Sequence, residues 1–491
     1  MIINRSFKDF KFRHRSKKNQ IIYTSKKVNS DDEVINLIDN FLEEKNSFIF
    51  ESVEKGKIKG RYTIFGKNPD KIWEFNNQKS YLITENKKII LKDKPEELIE
   101  KIIENFKFDT PKNLPKICSL ISGYFSYDSI RYIEKIPNSC KNDLNLPDVR
   151  LMRPRTLVIH DNLKKEIYYI SNVFNDEKIK DYQKKYDSIK TDLFKLLIQS
   201  SIKNINKNRA LKEKKIKVKS NTSKNKFLAM VNKAKKYIKL GDIFQVVLSQ
   251  RFEAKLTKKP LEIYKKLRVT NPSPFMFYFN FNDFQIIGAS PEILVRLRDN
   301  KITVRPIAGT RPRGKNKKED LFYEKDLLKD KKELSEHLML LDLGRNDAGK
   351  VSKINTVKVT ESFIIERYSH VMHIVSNVVG EYNKKFSKFK SLLAGFPAGT
   401  VSGAPKIRAM EIIDELEPVK RGIYGGAVGY LSWSGNMDTA IAIRTVVVKE
   451  GQAILQAGAG VVADSVPTSE WEETLSKARA MMRAIAMCSG R

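Results

Sequence analysis

The chain has few cysteines and no long apolar run. Its 491 residues include only three cysteines, Cys118, Cys140 and Cys488, which are widely spaced and odd in number. They predict neither a disulfide framework nor a metal site, and they favour a reducing compartment. No apolar run approaches the roughly 18 residues that span a bilayer, and the basic N-terminal stretch lacks the apolar segment of a secretory signal. We therefore expect a cytoplasmic protein that does not enter a membrane.

Acidic residues are outnumbered by basic ones, at 58 Asp and Glu against 92 Lys and Arg, which gives a net charge of +34. Taken alone, this excess would suggest a nucleic-acid-binding protein that neutralises phosphates. However, the lysines are spread along the chain, without an arginine-rich arm or zinc-finger spacing. A general bias toward solvated lysines is the favoured interpretation, so no nucleic-acid partner is expected. Nucleic-acid binding stays open as the alternative from a different class.

One polar segment divides the chain. Residues 201–226 are rich in Lys and Asn and have almost no apolar periodicity, which is typical of a linker. It separates an N-terminal region, residues 1–200, from a C-terminal region, residues 227–487. Short apolar runs joined by tight loops, such as Phe277–Phe281 and Ile286–Ala289, predict antiparallel sheets with helices packed on them. The predicted class is α+β.

Periodicity also predicts individual elements in the C-terminal region. Strands are expected at residues 243–252, 275–281, 285–289, 370–379, 427–432, 439–448 and 453–457, and helices at residues 227–240, 323–344, 405–416 and 469–486. For the last helix, Ser469 and Glu472 fit a capping box.

Two Glu-x-x-Glu pairs, Glu333/Glu336 and Glu470/Glu473, each lie on a predicted helix. A spacing of three places both carboxylates of a pair on one helical face. Carboxylate oxygens converging from two helices would form a hard site that suits Mg²⁺ better than Zn²⁺. Acidic residues that complement a helix dipole on a solvated face are the alternative for each pair.

Three features lie between the two pairs. The glycine-rich stretch Gly399–Lys406 leads into a helix, whose dipole and backbone N–H groups favour an anion, although the P-loop spacing is absent. His373 alternates with valines on a strand, where it is either a buried structural histidine or an imidazole that titrates near neutrality and transfers protons. Arg444 is expected to share a strand face with small apolar residues, where it would bind an internal carboxylate or a substrate carboxylate. Together they suggest addition or elimination chemistry on a carboxylated substrate.

Several ordered strings resemble the chorismate-utilising enzymes, and most closely the anthranilate synthase component I family. They are Pro306–Gly314, Glu333–Leu340, Leu343–Asp347, Gly399–Lys406, Tyr424–Tyr430 and Gly458–Ser465. The resemblance extends from about Phe48 to Ile485. It implies antiparallel β-sheets packed face to face with helices on the outside, an α/β sandwich. It also implies a reaction in which ammonia aminates chorismate at C2 with loss of the C4 hydroxyl, and pyruvate is then eliminated to leave anthranilate.

The resemblance also implies roles for individual residues. Glu336 and Glu473 would hold Mg²⁺, assisted by Glu333 and Glu470, and the metal would bind the ring carboxylate. His373 would serve pyruvate elimination. The substrate-contacting residues would be Gly309, Thr310, Thr400, Tyr424, Arg444, Gly458, Ala459 and Gly460, of which Thr400 lines the ring and is, with His373, a catalytic candidate.

Two positions discriminate within the family. Members that add water carry Lys where this chain has Gln245, and a Lys amine can activate water, whereas ammonia needs no such base. Aminodeoxychorismate synthases typically carry a nucleophilic Lys where this chain has Ala308. Both residues favour anthranilate synthase, and aminodeoxychorismate synthase component I is the alternative within the family.

The resemblance implies a regulator and a partner as well. Glu51, Ser52, Pro274, Phe275 and Met276 match the family's tryptophan-binding segments, although Phe50 and Phe275 replace a common Leu and Tyr. The chain contains no Cys-His-Glu constellation that would release ammonia from glutamine. A separate glutamine amidotransferase subunit is therefore implied, in a heterodimer or heterotetramer.

Overall fold

The computed structural model describes residues 3–28, 31–54, 58–85, 87–105, 108, 111–201, 216–368 and 371–488. The helices are α1 Phe7–Arg15, α2 Asp32–Phe41, α3 Pro95–Asn105, α4 Tyr182–Ser201, α5 Lys224–Lys239, α6 Pro260–Thr270, α7 Lys317–Leu327, α8 Lys331–Gly349, α9 Lys388–Ala394, α10 Lys406–Leu416 and α11 Pro467–Cys488. Short 3₁₀ helices span Tyr127–Tyr132 and Gly399–Val401. Among these described helices, none has the length and apolar character needed to cross a bilayer.

The strands of the N-terminal region are β1 Gln20–Lys27, β2 Ser47–Glu51, β3 Val53–Glu54, β4 Ile58–Lys59, β5 Tyr62–Asn76, β6 Lys79–Thr84, β7 Lys87–Leu91, β8 Leu120–Phe125, β9 Val149–Asp161 and β10 Glu166–Val173. Those that follow are β11 Lys219–Ser220, β12 Gln245–Lys255, β13 Phe275–Asn280, β14 Gln285–Ser290, β15 Ile293–Arg298, β16 Lys301–Val304, β17 Ile307–Pro312, β18 Lys358–Arg367, β19 Val371–Glu381, β20 Gly403–Ala404, β21 Ala427–Ser432, β22 Met437–Ile441, β23 Thr445–Lys449 and β24 Gln452–Val461.

The long strands β5 and β9 pair antiparallel along most of their length and belong to two sheets at once. The first sheet runs in the order β1-β10-β9-β5-β2-β13-β14-β23-β24-β12. The second runs β6-β5-β9-β8-β21-β22-β15-β16-β19, with β17 also on β19 and β18 on the opposite edge of β19. All of these pairings are antiparallel, and two of them, β2 with β13 and β8 with β21, join strands from the two sides of the predicted linker.

Alternation along the strands explains how the layers pack. In β2, Phe48 and Phe50 enter a core shared by both sheets, whereas Ile49 points to the core beneath the outer helices. A separate apolar cluster packs α3 and α9 against the outer face of the second sheet. Because both faces of β2 are buried, its three central residues, Phe48, Ile49 and Phe50, are apolar without alternation. The predicted arrangement of antiparallel sheets face to face with helices outside is confirmed.

Three local predictions are wrong. The expected strand over residues 439–448 is two strands, β22 and β23, since the chain turns at Arg444, whose φ is +51°. Arg444 therefore does not share a strand face with its apolar neighbours. The expected helix over residues 323–344 is split into α7 and α8, and Asp330 caps α8 by accepting from the N–H groups of Lys332 and Glu333. Finally, α11 begins at Pro467, so Ser469 lies inside the helix and does not cap it.

The predicted linker falls largely outside the described residues, which omit 202–215. In the remainder, Lys219–Ser220 pairs with β12, and α5 starts at Lys224. The division of the chain at residues 201–226 stays a prediction.

Candidate active site

The first carboxylate pair lies in the opening turns of α8. Glu336 accepts a hydrogen bond from the side-chain amide of Gln245, with 3.0 Å between Gln245 Nε2 and Glu336 Oε1. Gln245 Oε1 is buried and has no hydrogen-bond partner among the residues that the structure describes. Gly460 lies beside them: a Cβ at this position would be 2.6 Å from Gln245 Nε2 and 3.9 Å from Glu336 Oε1. Glycine is therefore required where β24 approaches these two side chains.

The second pair lies at the start of α11. Glu470 is buried, whereas Glu473 is exposed and has its Oε1 2.6 Å from the ammonium of Lys477. The same ammonium donates to the carbonyl of Gly458 at 3.1 Å. Because Glu336 lies near Gly460 and Lys477 near Gly458, both carboxylate pairs reach the same short stretch of β24.

The charge of these carboxylates is only partly neutralised. Burial, followed by the neighbouring carboxylates Glu336 and Asp330, raises the pKa of Glu333. Burial also raises the pKa of Glu470, and Glu473 contributes in the same direction. Within the described ranges, no three His, Cys, Asp or Glu side chains form a group that could hold a metal ion. The donors are nevertheless hard oxygens whose mutual repulsion a cation would relieve, which fits Mg²⁺ by chemistry.

His373 lies on β19, flanked by Thr310 of β17 and Glu366 of β18. Its Nδ1 is 3.0 Å from the carbonyl oxygen of Gly309 and 3.1 Å from Thr310 Oγ1. Since a carbonyl only accepts, the proton of the neutral ring lies on Nδ1, which leaves the Nε2 lone pair free. Gly309 has a φ of +70° at an irregularity of β17, and this conformation suits glycine.

The pKa of His373 differs from the expected value near neutrality. Burial is the main cause that lowers it to about 4; the hydrogen bond to Gly309 acts in the opposite direction, and the positive charges of Arg444 and Lys477 add to the effect of burial. The imidazole is therefore neutral at physiological pH and can accept a proton at Nε2.

Thr400 donates a hydrogen bond to Glu292, with 3.1 Å between Thr400 Oγ1 and Glu292 Oε1. Burial raises the pKa of Glu292 to about 8, although the Thr400 hydrogen bond and the charge of Lys477 act in the opposite direction. At neutral pH this carboxyl is mostly protonated, so it can serve as an acid.

Arg444 and Tyr424 lie near the second carboxylate pair. The Arg444 guanidinium donates to the backbone carbonyl of Lys477, and burial lowers the pKa of Arg444 against the opposing effects of Tyr424 and Glu473. A Cβ at Gly458 would be 2.7 Å from the Tyr424 hydroxyl, so this glycine opens the space that the phenol occupies. Arg444, Lys477 and the Tyr424 hydroxyl thus border the same part of β24, and two cations with a phenol suit a carboxylated ligand.

The glycine-rich stretch serves close packing. A Cβ at Gly399 would be 2.1 Å from Leu343 Cδ2 of α8, and a Cβ at Gly403 would be 2.2 Å from the carbonyl oxygen of Gln245. The N–H groups of Val401 and Ser402 donate to carbonyls within the same turn. These glycines therefore bring Thr400 close to α8 and β12, and anion binding by this loop stays a prediction.

The predicted residues on α8, β17, β19 and β24 lie close to one another. A Cβ at Gly309 would lie 3.2 Å from Glu333 Oε2, which connects the His373 group to α8. Ala459, between the two glycines of β24, is fully buried and pairs with Leu248 of β12.

The residues matched to tryptophan binding form a second group, where β2 pairs with β13. Glu51 lies opposite Met276, and its carboxylate accepts from the Arg268 guanidinium at 2.9 Å and from the Tyr264 hydroxyl. The rings of Phe50 and Phe275 meet edge to face, with centroids 5.6 Å apart. Ser52 and Pro274 lie at the adjoining strand ends and are partly exposed.

Two residues of the site were not predicted from the sequence, Glu292 and Lys477. Glu292 follows Ser290-Pro291 between two apolar strands, and an acidic residue in such a setting is itself a signal. Lys477 lies four residues after Glu473 and therefore on the same face of α11. A search for charges at helical spacing from the glutamate pair would have found it.

Comparison with known proteins gives a consistent result. The family described as chorismate binding enzyme matches residues 46–483. A protein of Cereibacter sphaeroides named anthranilate synthase component 1 is 46% identical over 98% of this chain and 97% of its own length. One of the same name from Acetivibrio thermocellus is 47% identical over 92% of each chain.

Solved structures are similar as well. The crystal structure of anthranilate synthase component I from Streptococcus pneumoniae has a TM-score of 0.78 and 38% identity, covering 86% of this chain and 92% of the other. The menaquinone-specific isochorismate synthase of Escherichia coli has a TM-score of 0.72 at 16% identity over 97% of this chain and 98% of the other, which supports the fold alone.

Proposed function

The chain belongs to the chorismate binding enzymes, and from this premise we propose that it is the aminating subunit of an anthranilate synthase. It would convert chorismate and ammonia into anthranilate, pyruvate and water by way of aminodeoxyisochorismate. Relatives named anthranilate synthase component 1, matched over nearly their whole length, support this assignment. The reaction opens tryptophan biosynthesis.

The observation that carries the proposal is the environment of Gln245. Its amide nitrogen donates to Glu336, so its carbonyl oxygen points away and is buried, without a hydrogen-bond partner in the described part of the chain. An unsatisfied buried acceptor is costly and is relieved by a donor. Ammonia can donate to this oxygen and keep its lone pair for attack on C2 of chorismate. Water that attacked from here would need a base, which an amide does not provide.

Glu292 would act in the first step. As ammonia forms the C2–N bond, the bond between C4 and its hydroxyl breaks, and protonated Glu292 would supply the proton that lets the hydroxyl leave as water. The Thr400 hydrogen bond positions this carboxyl. The new ammonium group at C2 then releases a proton, which restores the acid.

His373 would act in the second step. Its Nε2 lone pair would take the proton from C2 while the bond between C3 and the enolpyruvyl oxygen breaks. The electron pair of the C2–H bond completes the aromatic ring, and the released enolate gains a proton to become pyruvate. Nδ1 keeps its proton and donates it to the Gly309 carbonyl, which holds the base in one tautomer.

The substrate carboxylates would be bound by separate groups. Glu336 and Glu473 would hold Mg²⁺, with Glu333 and Glu470 assisting, and the ion would supply positive charge to the ring carboxylate. Arg444 and Tyr424 would bind the enolpyruvyl carboxylate. The ammonium of Lys477, which lies 2.6 Å from Glu473 Oε1, would contact either the ion's ligands or the substrate.

The decisive test incubates the purified chain with chorismate, Mg²⁺ and an ammonium salt, and separates the products by chromatography. Anthranilate is expected. Accumulated 4-aminodeoxychorismate would favour the other component I family, and isochorismate formed without a nitrogen source would refute the role of Gln245. A protein that only binds nucleic acid would form none of these products.

We also propose that ammonia comes from a glutamine amidotransferase subunit. The chain by itself is expected to use ammonium but not glutamine, and adding that subunit should confer glutamine-dependent activity. Anthranilate formed from glutamine by the isolated chain would contradict the two-subunit assignment.

We also propose that tryptophan binds to the second group of residues, where β2 pairs with β13, and inhibits the enzyme from there. Arg268 and Tyr264 both donate to Glu51, which supports a rigid wall for the inhibitor site. Ser52 packs against Gly60, where an added Cβ would be 2.5 Å from Ser52 Cβ. Ser52→Phe would fill the space beside this wall and is expected to raise the tryptophan concentration for half inhibition at least about tenfold while preserving turnover. Equal inhibition of both proteins would contradict the placement.

A further inference from the structure

The strand that carries His373 is flanked by an ion pair that does not bond to the imidazole. Glu366 lies directly across from His373 on β18. Its carboxylate accepts from the Arg305 guanidinium at 2.7 Å through Oε1 and from the Tyr368 hydroxyl at 2.9 Å through Oε2. Glu366 is thus engaged with Arg305 and Tyr368, while the Nδ1 proton of His373 goes to the backbone of Gly309.

Tyr368 connects this ion pair to the imidazole. Its ring meets His373 edge to face, with centroids 5.5 Å apart and an interplanar angle of 63°. The side chain is buried, and its backbone N–H donates to the carbonyl of Val371 at 2.8 Å. The ring is therefore fixed at both ends, by its backbone and by its hydroxyl.

The imidazole needs such support. Its hydrogen bonds through Nδ1, to Gly309 and Thr310, hold one edge of the ring but leave rotation about that edge. A base displaced by about 1 Å can lose on the order of a hundredfold in rate. A neighbouring aromatic edge that is anchored by an ion pair restricts this rotation.

We propose that Tyr368, anchored through Glu366 to Arg305, is a positioning residue that orients His373 and so sets the fraction of the aminated intermediate that proceeds to anthranilate. The inference rests on the proposed function, in which only the second step uses His373. When the imidazole is held loosely, proton removal from C2 slows, and the intermediate dissociates before pyruvate leaves. Chorismate consumption changes less, because amination does not need this base.

The test measures product partition in single incubations with chorismate, ammonium and Mg²⁺. Tyr368→Phe removes only the hydroxyl that reaches Glu366, and Tyr368→Leu removes the aromatic edge as well. Arg305→Met removes the cation at the far end. The matched control is Glu361→Gln, since Glu361 binds the same Arg305 guanidinium at 2.9 Å but is nearly half exposed and has no bond to Tyr368.

The ratio of released aminodeoxyisochorismate to anthranilate is expected to rise at least about threefold in Tyr368→Phe and Arg305→Met, more in Tyr368→Leu, and not in Glu361→Gln. If anthranilate and chorismate consumption fall in proportion in the three variants, with no intermediate released, Tyr368 is only structural and the proposal is overturned. Thermal unfolding checks that each variant is folded. If Tyr368→Leu does not fold, the product ratio of the more conservative Tyr368→Phe tests the proposal. A wild-type protein that forms no anthranilate would instead refute the proposed function.

Discussion

Replacing Glu292 with Gln should raise the stability of the folded protein at neutral pH and lower its enzymatic activity. Burial raises the pKa of Glu292 from 4.5 to about 8. Between these values the unfolded chain has released the proton and the folded chain keeps it, so stability falls as pH rises through this window. Each pH unit above 4.5 costs about 1.4 kcal/mol, so the cost reaches roughly 3.5 kcal/mol at pH 7. A glutamine side chain cannot ionise, and its amide oxygen still accepts from Thr400, so the Glu292→Gln variant should lose this cost.

The assay compares thermal midpoints of wild type and Glu292→Gln at pH 5 and at pH 7.5. At about 2.1 cal/mol/K per residue, a chain of 491 residues has an unfolding entropy near 1 kcal/mol/K if it unfolds as one unit. The variant should therefore gain about 3 °C relative to wild type between these two pH values. Glu450→Gln, at an exposed glutamate, is the control and should show no such gain.

Activity should move in the opposite direction. Without a proton for the leaving hydroxyl, kcat of Glu292→Gln should fall by about 10² to 10⁴. A substitution that raises stability and lowers turnover in this way identifies a group that is retained for function at a cost in stability. If the midpoint difference between variant and wild type is the same at both pH values, Glu292 is ionised in the folded protein, and the assignment of an acid to this position is refuted.

Further expected outcomes concern the metal, the base and the nucleophile. Glu336→Gln and Glu473→Gln should each lower the Mg²⁺-supported rate at least about a hundredfold, and Glu472→Gln, at the exposed neighbour, should not; activity retained in both would contradict the metal assignment. His373→Met should release aminodeoxyisochorismate while chorismate is still consumed, and equal loss of both products would contradict the division of steps. With ammonium, the rate should climb above neutral pH as free ammonia increases and then decline as Glu292 ionises near pH 8. A rate that climbs steadily to about pH 10 would contradict the decline.

Local patterns predicted much of the fold. The strand predicted over residues 427–432 is β21 with the same bounds, because both of its faces are buried and residues 427–431 contain no polar residue other than Tyr430. The break between α7 and α8 was missed, because apolar periodicity continues across it, although Asp330 followed by Glu333 is a capping signal. The break at Arg444 has no comparable signal, since a non-glycine residue at positive φ is held there by its surroundings.

The sequence by itself determined which chemical groups are present and how helical spacing pairs them. The spacing of Glu333 with Glu336, and of Glu470 with Glu473, follows from the geometry of one helix and needs no tertiary information. The motif strings likewise carried the family resemblance. Both depend only on residues close together in the sequence, so they can be predicted without the tertiary structure.

Only the tertiary structure decided how those groups behave. Thr400 and Glu292 are 108 residues apart in sequence, and burial between the layers raises the pKa of Glu292 to about 8. Enclosure also lowers the pKa of His373 to about 4, where its strand pattern had indicated a value near neutrality. Ionisation depends on how much water the surrounding elements exclude and which charges they bring near. Those quantities arise from contacts between distant segments, so no spacing within one segment could supply them.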